Sequence, residues 1–125
     1  MRRILVCGGV TFADEELLTE TLDRVIADEK VMIVSGGAKG ADALAEKYAK
    51  DRNIKIKVFP AEWKKYGKGA GPIRNRQMLD FVSQKESPLV VAFWNGKSRG
   101  TKNTIETARK MEIATLVADY KDKEE

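Results

Sequence analysis

The chain has 125 residues, 42% hydrophobic and 34% charged, the balance of one globular domain with a real core. Its 23 Lys and Arg exceed 19 Asp and Glu by +4, which favours anionic ligands but falls short of a nucleic-acid footprint by itself. A single cysteine, Cys7, and no histidine exclude an intrachain disulfide, a thiolate metal cluster and every Ser-His or Cys-His catalytic pair, so neither metal nor cofactor is expected.

Met1-Arg2-Arg3 leads into Ile4-Leu5-Val6, too short an apolar run for a signal peptide, and no stretch approaches transmembrane length. A cytoplasmic protein without membrane contact is expected. Arg3 to Cys7 reads as the first strand, followed by the turn Gly8-Gly9. Asp14 suits a helix N-cap, with Glu15 and Glu16 in the first turn and Leu18, Leu22, Val25 and Ile26 at helical spacing. Val31 to Val34 is the second strand. A glycine loop then enters a helix that runs to about Arg52. Ile54 to Phe59 is the third strand, stopped by Pro60, and 61–72 reads as a loop with Trp63, Lys64, Lys65, Tyr66 and three glycines. Pro72 suits a first helical turn, so a helix is predicted from Ile73 to about Gln84. Leu89 to Trp94 is hydrophobic throughout, as in a strand buried on both faces. A polar loop, 95–100, leads to a helix through Met111. The last strand, Ala114 to Ala118, precedes a charged tail, 119–125, that should fray.

Alternation of strand and helix predicts one Rossmann-like, three-layer α/β domain over 1–118, with about five parallel strands and helices on both faces. In such folds ligands sit beyond the carboxyl ends of the strands. The loops after Cys7, Val34, Phe59 and Trp94 all leave in that direction, and all are rich in glycine or polar residues.

Three strings could carry chemistry. In Ser35-Gly36-Gly37-Ala38-Lys39-Gly40-Ala41-Asp42, a strand, a glycine turn and a helix start would offer backbone N–H groups and a positive dipole end to a phosphate or other anion. The competing reading is a tight turn that needs only positive φ. The string matches neither the P-loop nor Gly-x-Gly-x-x-Gly. In Gly71-Pro72-Ile73-Arg74-Asn75, Arg74 falls in a predicted first turn, where the dipole disfavours a cation unless it grips an anion or pairs with an acid such as Glu62. In Arg99-Gly100-Thr101, N–H groups would again face the rim, or Thr101 simply caps the helix. Gly8 and Gly9 serve either turn geometry or a ligand. Trp63 and Tyr66 stack on a base or cover the sheet edge. The candidate ligand-binding set is therefore Gly8, Gly9, Gly36, Gly37, Lys39, Gly40, Asp42, Glu62, Arg74, Asn75, Arg99, Gly100 and Thr101.

Gly-Gly-x-x-Gly-Ala-Asp at Gly36 to Asp42, Gly-Pro-x-Arg-Asn-x-x-Met at Gly71 to Met78, and the apolar strand leading to Arg99-Gly100-Thr101 together resemble the small YspA-type branch of the SLOG superfamily. That superfamily includes the LONELY GUY phosphoribohydrolases and the DprA recombination mediators. The resemblance implies a nucleotide-type small molecule, ADP-ribose-like compounds included, bound or sensed over the strand ends with phosphate near the helix starts. Two alternatives follow from the same relatives: hydrolysis of a nucleoside monophosphate, and DprA-like binding of single-stranded DNA, although nucleic acid is not the expected partner. A homodimer or higher homo-oligomer is expected too. Carried over residue by residue, Arg74 with Met78 matches the phosphoribohydrolases' Arg, but the position of their catalytic glutamate is Thr104. Glu106 lies two residues on, about 200° round a helix. Arg74, Glu62 and Glu106 are the catalytic candidates if the chain is an enzyme, with Asp42 and Asp14 as further acids near the rim.

Overall fold

The structure, a computed structural model, describes residues 1–122. Five parallel strands, β1 (Arg2–Gly8), β2 (Val31–Ser35), β3 (Lys55–Val58), β4 (Leu89–Trp94) and β5 (Ala114–Asp119), form one sheet in the order β3-β2-β1-β4-β5. Helices α1 (Glu15–Ile26) and α2 (Ala41–Asp51) pack on one face. The other carries α4 (Ala70–Ser83) and α5 (Arg99–Lys110), preceded by the single turn α3 (Trp63–Tyr66). The three-layer α/β fold read from the strand–helix alternation is therefore the one observed.

The pleat divides the core. Along β1, Ile4 and Val6 face α1 and α2, while Leu5 and Cys7 face α4 and α5. Such two-sided burial is why β1, β2 and β4 are almost continuously apolar. On α1, Leu18, Leu22 and Ile26 recur every fourth residue and are buried, and Asp14 caps the helix by accepting from Leu17 N–H at 3.0 Å. Among the described residues no helix is long and apolar enough to cross a membrane.

Two boundaries differ from the sequence reading. The expected loop over 61–72 is largely helical: α3 passes through a 3₁₀ turn at Gly67–Gly69 into α4, which starts at Ala70. Gly69, Gly71 and Pro72 disguise that start, since glycine and proline are the weakest helix formers. The face of α4 that buries Ala70, Met78, Leu79 and Val82 holds the helix against the core, and Pro72, third in the helix, loses an N–H that would have had no helical partner. The C-terminal stretch expected to fray is tied down as far as 122. Tyr120 N–H donates to the Trp94 carbonyl at 3.1 Å, and the Tyr120 ring meets Phe12 edge-on at 4.8 Å. Asp122 accepts from Thr11 Oγ1 at 2.7 Å and Asn95 Nδ2 at 2.8 Å. The rest of the tail, 123–125, lies outside the described residues.

The sheet order reverses direction between β1 and β4, the switch point at which open α/β sheets leave a crevice. There β1, β4 and α2 crowd together. A Cβ on Gly8 would lie 2.6 Å from the Phe93 carbonyl oxygen and 2.7 Å from Ala41 Cβ. Gly40 has φ +74°, and its Cβ would run into the Gly9 carbonyl and lie 2.7 Å from Val10 backbone. Gly40→Ala is therefore expected to lower stability by about 1–3 kcal/mol, the scale of a residue forced into a glycine-only conformation, measured by urea unfolding. An unchanged midpoint would mean that α2 can back away from the β1 turn.

Candidate functional site

A cleft of about 410 Å³ opens over the switch point. Its floor is the end of β1, Cys7 and Gly8, with Asp42 from the first turn of α2. The first two turns of α4 form one wall and the first two turns of α5 the other. Val10 and Trp63 stand in its lining as well.

Seven of the expected ligand residues line this cleft: Gly8, Asp42, Arg74, Asn75, Arg99, Gly100 and Thr101. Gly9, Gly36, Gly37, Lys39, Gly40 and Glu62 do not. The acids separate cleanly. Glu62 is exposed beside Lys65 at 4.0 Å, Glu106 is exposed beside Lys102 at 3.9 Å, and Asp14 caps α1. Among the described residues, Asp42 is the one carboxylate that lines the cleft.

The glycine loop is built around that carboxylate. Asp42 Oδ2 accepts from Ala38 N–H at 3.1 Å, Gly36 N–H also stabilises its charge, and Ser35 Oγ accepts from Gly37 N–H at 3.3 Å. Ala41 N–H donates to the Gly9 carbonyl at 3.3 Å. The N–H groups of Gly37, Ala38 and Ala41 are thus turned to acceptors of the protein itself, while those of Lys39 and Gly40 have no protein acceptor among the described residues. Asp42 is 6% exposed, and burial pushes its pKa up to about 6 from the usual 3.8. The Ala38 N–H bond and the Arg74 charge oppose that rise, while Glu46 adds to it. Burial, with the Asp42 charge adding to it, raises the neighbouring Cys7 thiol well above its ordinary value, so it is no nucleophile near neutrality.

Arg74 lies in the second turn of α4, not the first, because the helix starts at Ala70. The dipole argument for an anionic partner therefore lapses. Its guanidinium donates from Nη1 to the Gly36 carbonyl and, at 3.5 Å, to the Phe59 carbonyl; Nε donates to Asn75 Oδ1 at 3.0 Å. A Cβ on Gly36 would lie 2.5 Å from Arg74 Nη1 and 2.9 Å from Asp42 Oδ2, so the glycine makes room for both side chains. Asn75, itself buried, donates to Asn103 Oδ1 at 3.1 Å and to the Gly100 carbonyl at 3.5 Å, which clamps α4 to α5.

At the start of α5, open N–H groups belong to residues that line the cleft. Asn95 Oδ1 accepts from Lys97 and Ser98 N–H at 2.9 Å, and Ser98 Oγ accepts from Thr101 N–H at 3.4 Å. Among the described residues, the N–H groups of Arg99 and Gly100 have no protein acceptor. A Cβ on Gly100 would meet nothing within 4 Å. Asn103, which the sequence reading did not single out, lines the cleft with Thr104, the position that the resemblance gave to the catalytic glutamate, because positions three and four after Gly100 share its helix face. Val10 carries no sequence signal that would have found it.

A parallel α/β domain with a cleft at its switch point is a Rossmann-like domain. The comparisons narrow that class. Residues 2–66 match the family described as YspA, cpYpsA-related SLOG, and the chain belongs to that family. It is similar to the Gene 61 protein of Mycobacterium phage D29, with 31% identity over 127 residues that cover 93% of this chain and 95% of the phage protein. Its fold is similar to that of DNA processing protein A (DprA) from Streptococcus pneumoniae, with a TM-score of 0.71, 20% identity and 94% of this chain matched. The chain spans 50% of that DprA chain.

Two outcomes test this geometry. Raising the Asp42 pKa from 3.8 to about 6 means that the fold prefers the protonated acid. The preference is fully present below pH 3.8 and is lost as pH rises to about 6. Wild type should therefore lose up to about 3 kcal/mol between these limits relative to Asp42→Asn, at 1.36 kcal/mol per pK unit. Urea midpoints that stay parallel with pH would show an unburied carboxyl. Arg74→Ala should cost about 1–3 kcal/mol of stability, because it leaves part-buried carbonyls without a donor. A thermal melt identical to wild type would mean that those bonds contribute nothing.

Proposed function

We propose that this domain binds a nucleotide or nucleotide-derived small molecule, ADP-ribose-like compounds included, with a phosphate at the N-terminus of α5. One observation carries the reading: Gly100 stands second in that helix and lines the cleft, yet the fold makes no demand for a glycine there. A helical glycine costs up to about 1 kcal/mol against alanine. Open space and unpaired N–H groups suit the close approach of a phosphate, which a dipole end favours. Membership of a SLOG family supports a nucleotide-related ligand.

The glycine loop after β2 takes a supporting part in this reading. Its N–H groups hold Asp42, and Asp42 with Arg74 would present polar atoms to the sugar or base rather than to phosphate. Binding is favoured over hydrolysis. An N-glycosidase needs a carboxylate at the reacting carbon, and neither Glu62 nor Glu106 lines the cleft. Asp42 would have to serve alone. A second reading, single-stranded DNA binding, rests on the exposed Lys64, Lys65 and Lys68 beside exposed Trp63, and on the similarity in fold to DNA processing protein A.

Nucleoside mono- and diphosphates or ADP-ribose should raise the melting temperature of the wild-type protein, since a ligand selective for the folded state stabilises it by mass action. Gly100→Ala should leave stability equal or raise it by up to about 1 kcal/mol, while Gly100→Val weakens binding at least tenfold. Unaltered calorimetric affinity in Gly100→Val would remove the phosphate from α5, and a flat melting response across the panel would remove the nucleotide.

A further inference from the structure

Val10 and Trp63 are the most exposed of the large hydrophobic residues described, at 66% and 60%, and both line the cleft at the switch point. They come from unrelated parts of the chain, the loop after β1 and the turn α3, so their meeting is a product of the fold. Trp63 is not turned inward to cover the sheet edge. Tryptophan ordinarily buries roughly 150–250 Å², and here most of that apolar area is left open to a partner at the cleft. The indole reaches the first turn of α4: the place a Cβ would take on Gly71, second in that helix, is at an ordinary contact distance of 3.7 Å from Trp63 Cη2.

We infer that Trp63, with Val10 as an apolar wall, is a stacking platform for a nucleobase. This rests on the nucleotide reading of the cleft and adds where the base goes. The platform belongs to the wall where α3 leads into α4, and the open N–H groups to the wall at the start of α5. A ligand with an aromatic ring at one end and an anion at the other fits that division. Lys64 and Lys65 follow Trp63 directly and are exposed, so the base can belong to a free nucleotide or to a single strand whose phosphates run outward along them.

The test is fluorescence titration of wild type, Trp63→Phe and Trp63→Ala with AMP, with ribose 5-phosphate, which has no base, and with a decamer of thymidylate. Trp94 is the other tryptophan, and its Nε1 donates to the Ser98 carbonyl at 3.1 Å. Quenching by AMP should therefore fall sharply in both variants. Calorimetric affinity for AMP should hold within a few-fold in Trp63→Phe, which still stacks, and fall at least about fivefold in Trp63→Ala, the low end of base–aromatic stacking. Ribose 5-phosphate affinity should be the same in all three proteins. If the decamer alone binds with this Trp63 dependence, the platform stands and its source is a single strand. If AMP binds Trp63→Ala as it binds wild type, the platform is overturned while the nucleotide reading survives. If no probe binds wild type, both fall. Melting curves of the variants should match wild type, as expected for a side chain this exposed.

Discussion

The rest of this molecule depends on how closely the carboxyl end of β1 approaches the first turn of α2. Three chain segments meet there with almost no side-chain volume between them. Gly8 lies against the Phe93 carbonyl and Ala41, and the Gly9 carbonyl receives the Ala41 N–H. Gly40 adopts a positive φ beneath the backbone of Val10. The contact fixes the height of α2 over the sheet and so brings Asp42 to the floor of the cleft. It also holds the loop after β1 under the C-terminal stretch: Phe12 stacks on Phe93 at 4.8 Å and Tyr120 closes over Phe12. Glycines usually associated with ligands are here, at Gly8 and Gly40, requirements of packing.

A buried carboxylate and a half-buried guanidinium sit side by side under this contact, and Gly36 separates them by having no side chain. The arrangement stiffens the polar rim without a formal salt bridge. Asp42 spends its lone pairs on the amides of its own loop; Arg74 spends its N–H groups on the carbonyls that end β2 and β3 and on Asn75. Asn75 carries the chain of bonds onward to Asn103 and α5. The four elements around the cleft are thus joined by one hydrogen-bonded network, and a ligand would meet a preorganised wall. The burial that gives this order also makes an ionised Asp42 costly, the kind of local expense that folds tolerate at functional sites.

Much of the fold was legible because its signals are one-dimensional. Ile4 to Cys7 and Leu89 to Trp94 must be apolar on both faces to be central strands. Leu18, Leu22 and Ile26 must recur at helical spacing to be one face of α1. Asp14 must precede its helix to cap it. These are consequences of local geometry, and the strand–helix alternation then leaves few topologies. The start of α4 was hidden for the same reason: Gly69, Gly71 and Pro72 speak locally against a helix, and only the burial of the Ala70, Met78, Leu79 and Val82 face against the core decides for one.

The candidate site divides along that line. By itself the sequence determined which loops end the strands, and that glycine, arginine and amide residues gather there, because loop chemistry is written in residue types. It could not say which glycine serves the fold and which leaves space for a ligand. Gly36 and Gly40 are crowded by atoms from distant segments, while Gly100 meets nothing, and that difference exists only once the chain is folded. Nor could it rank the acids. Asp42, Glu62 and Glu106 are alike as residues, but only Asp42 lines the cleft, because the close packing of α2 on β1 carries it there. Tertiary structure decided crowding and cleft lining, since each is a property of what lies around a side chain and not of the side chain itself.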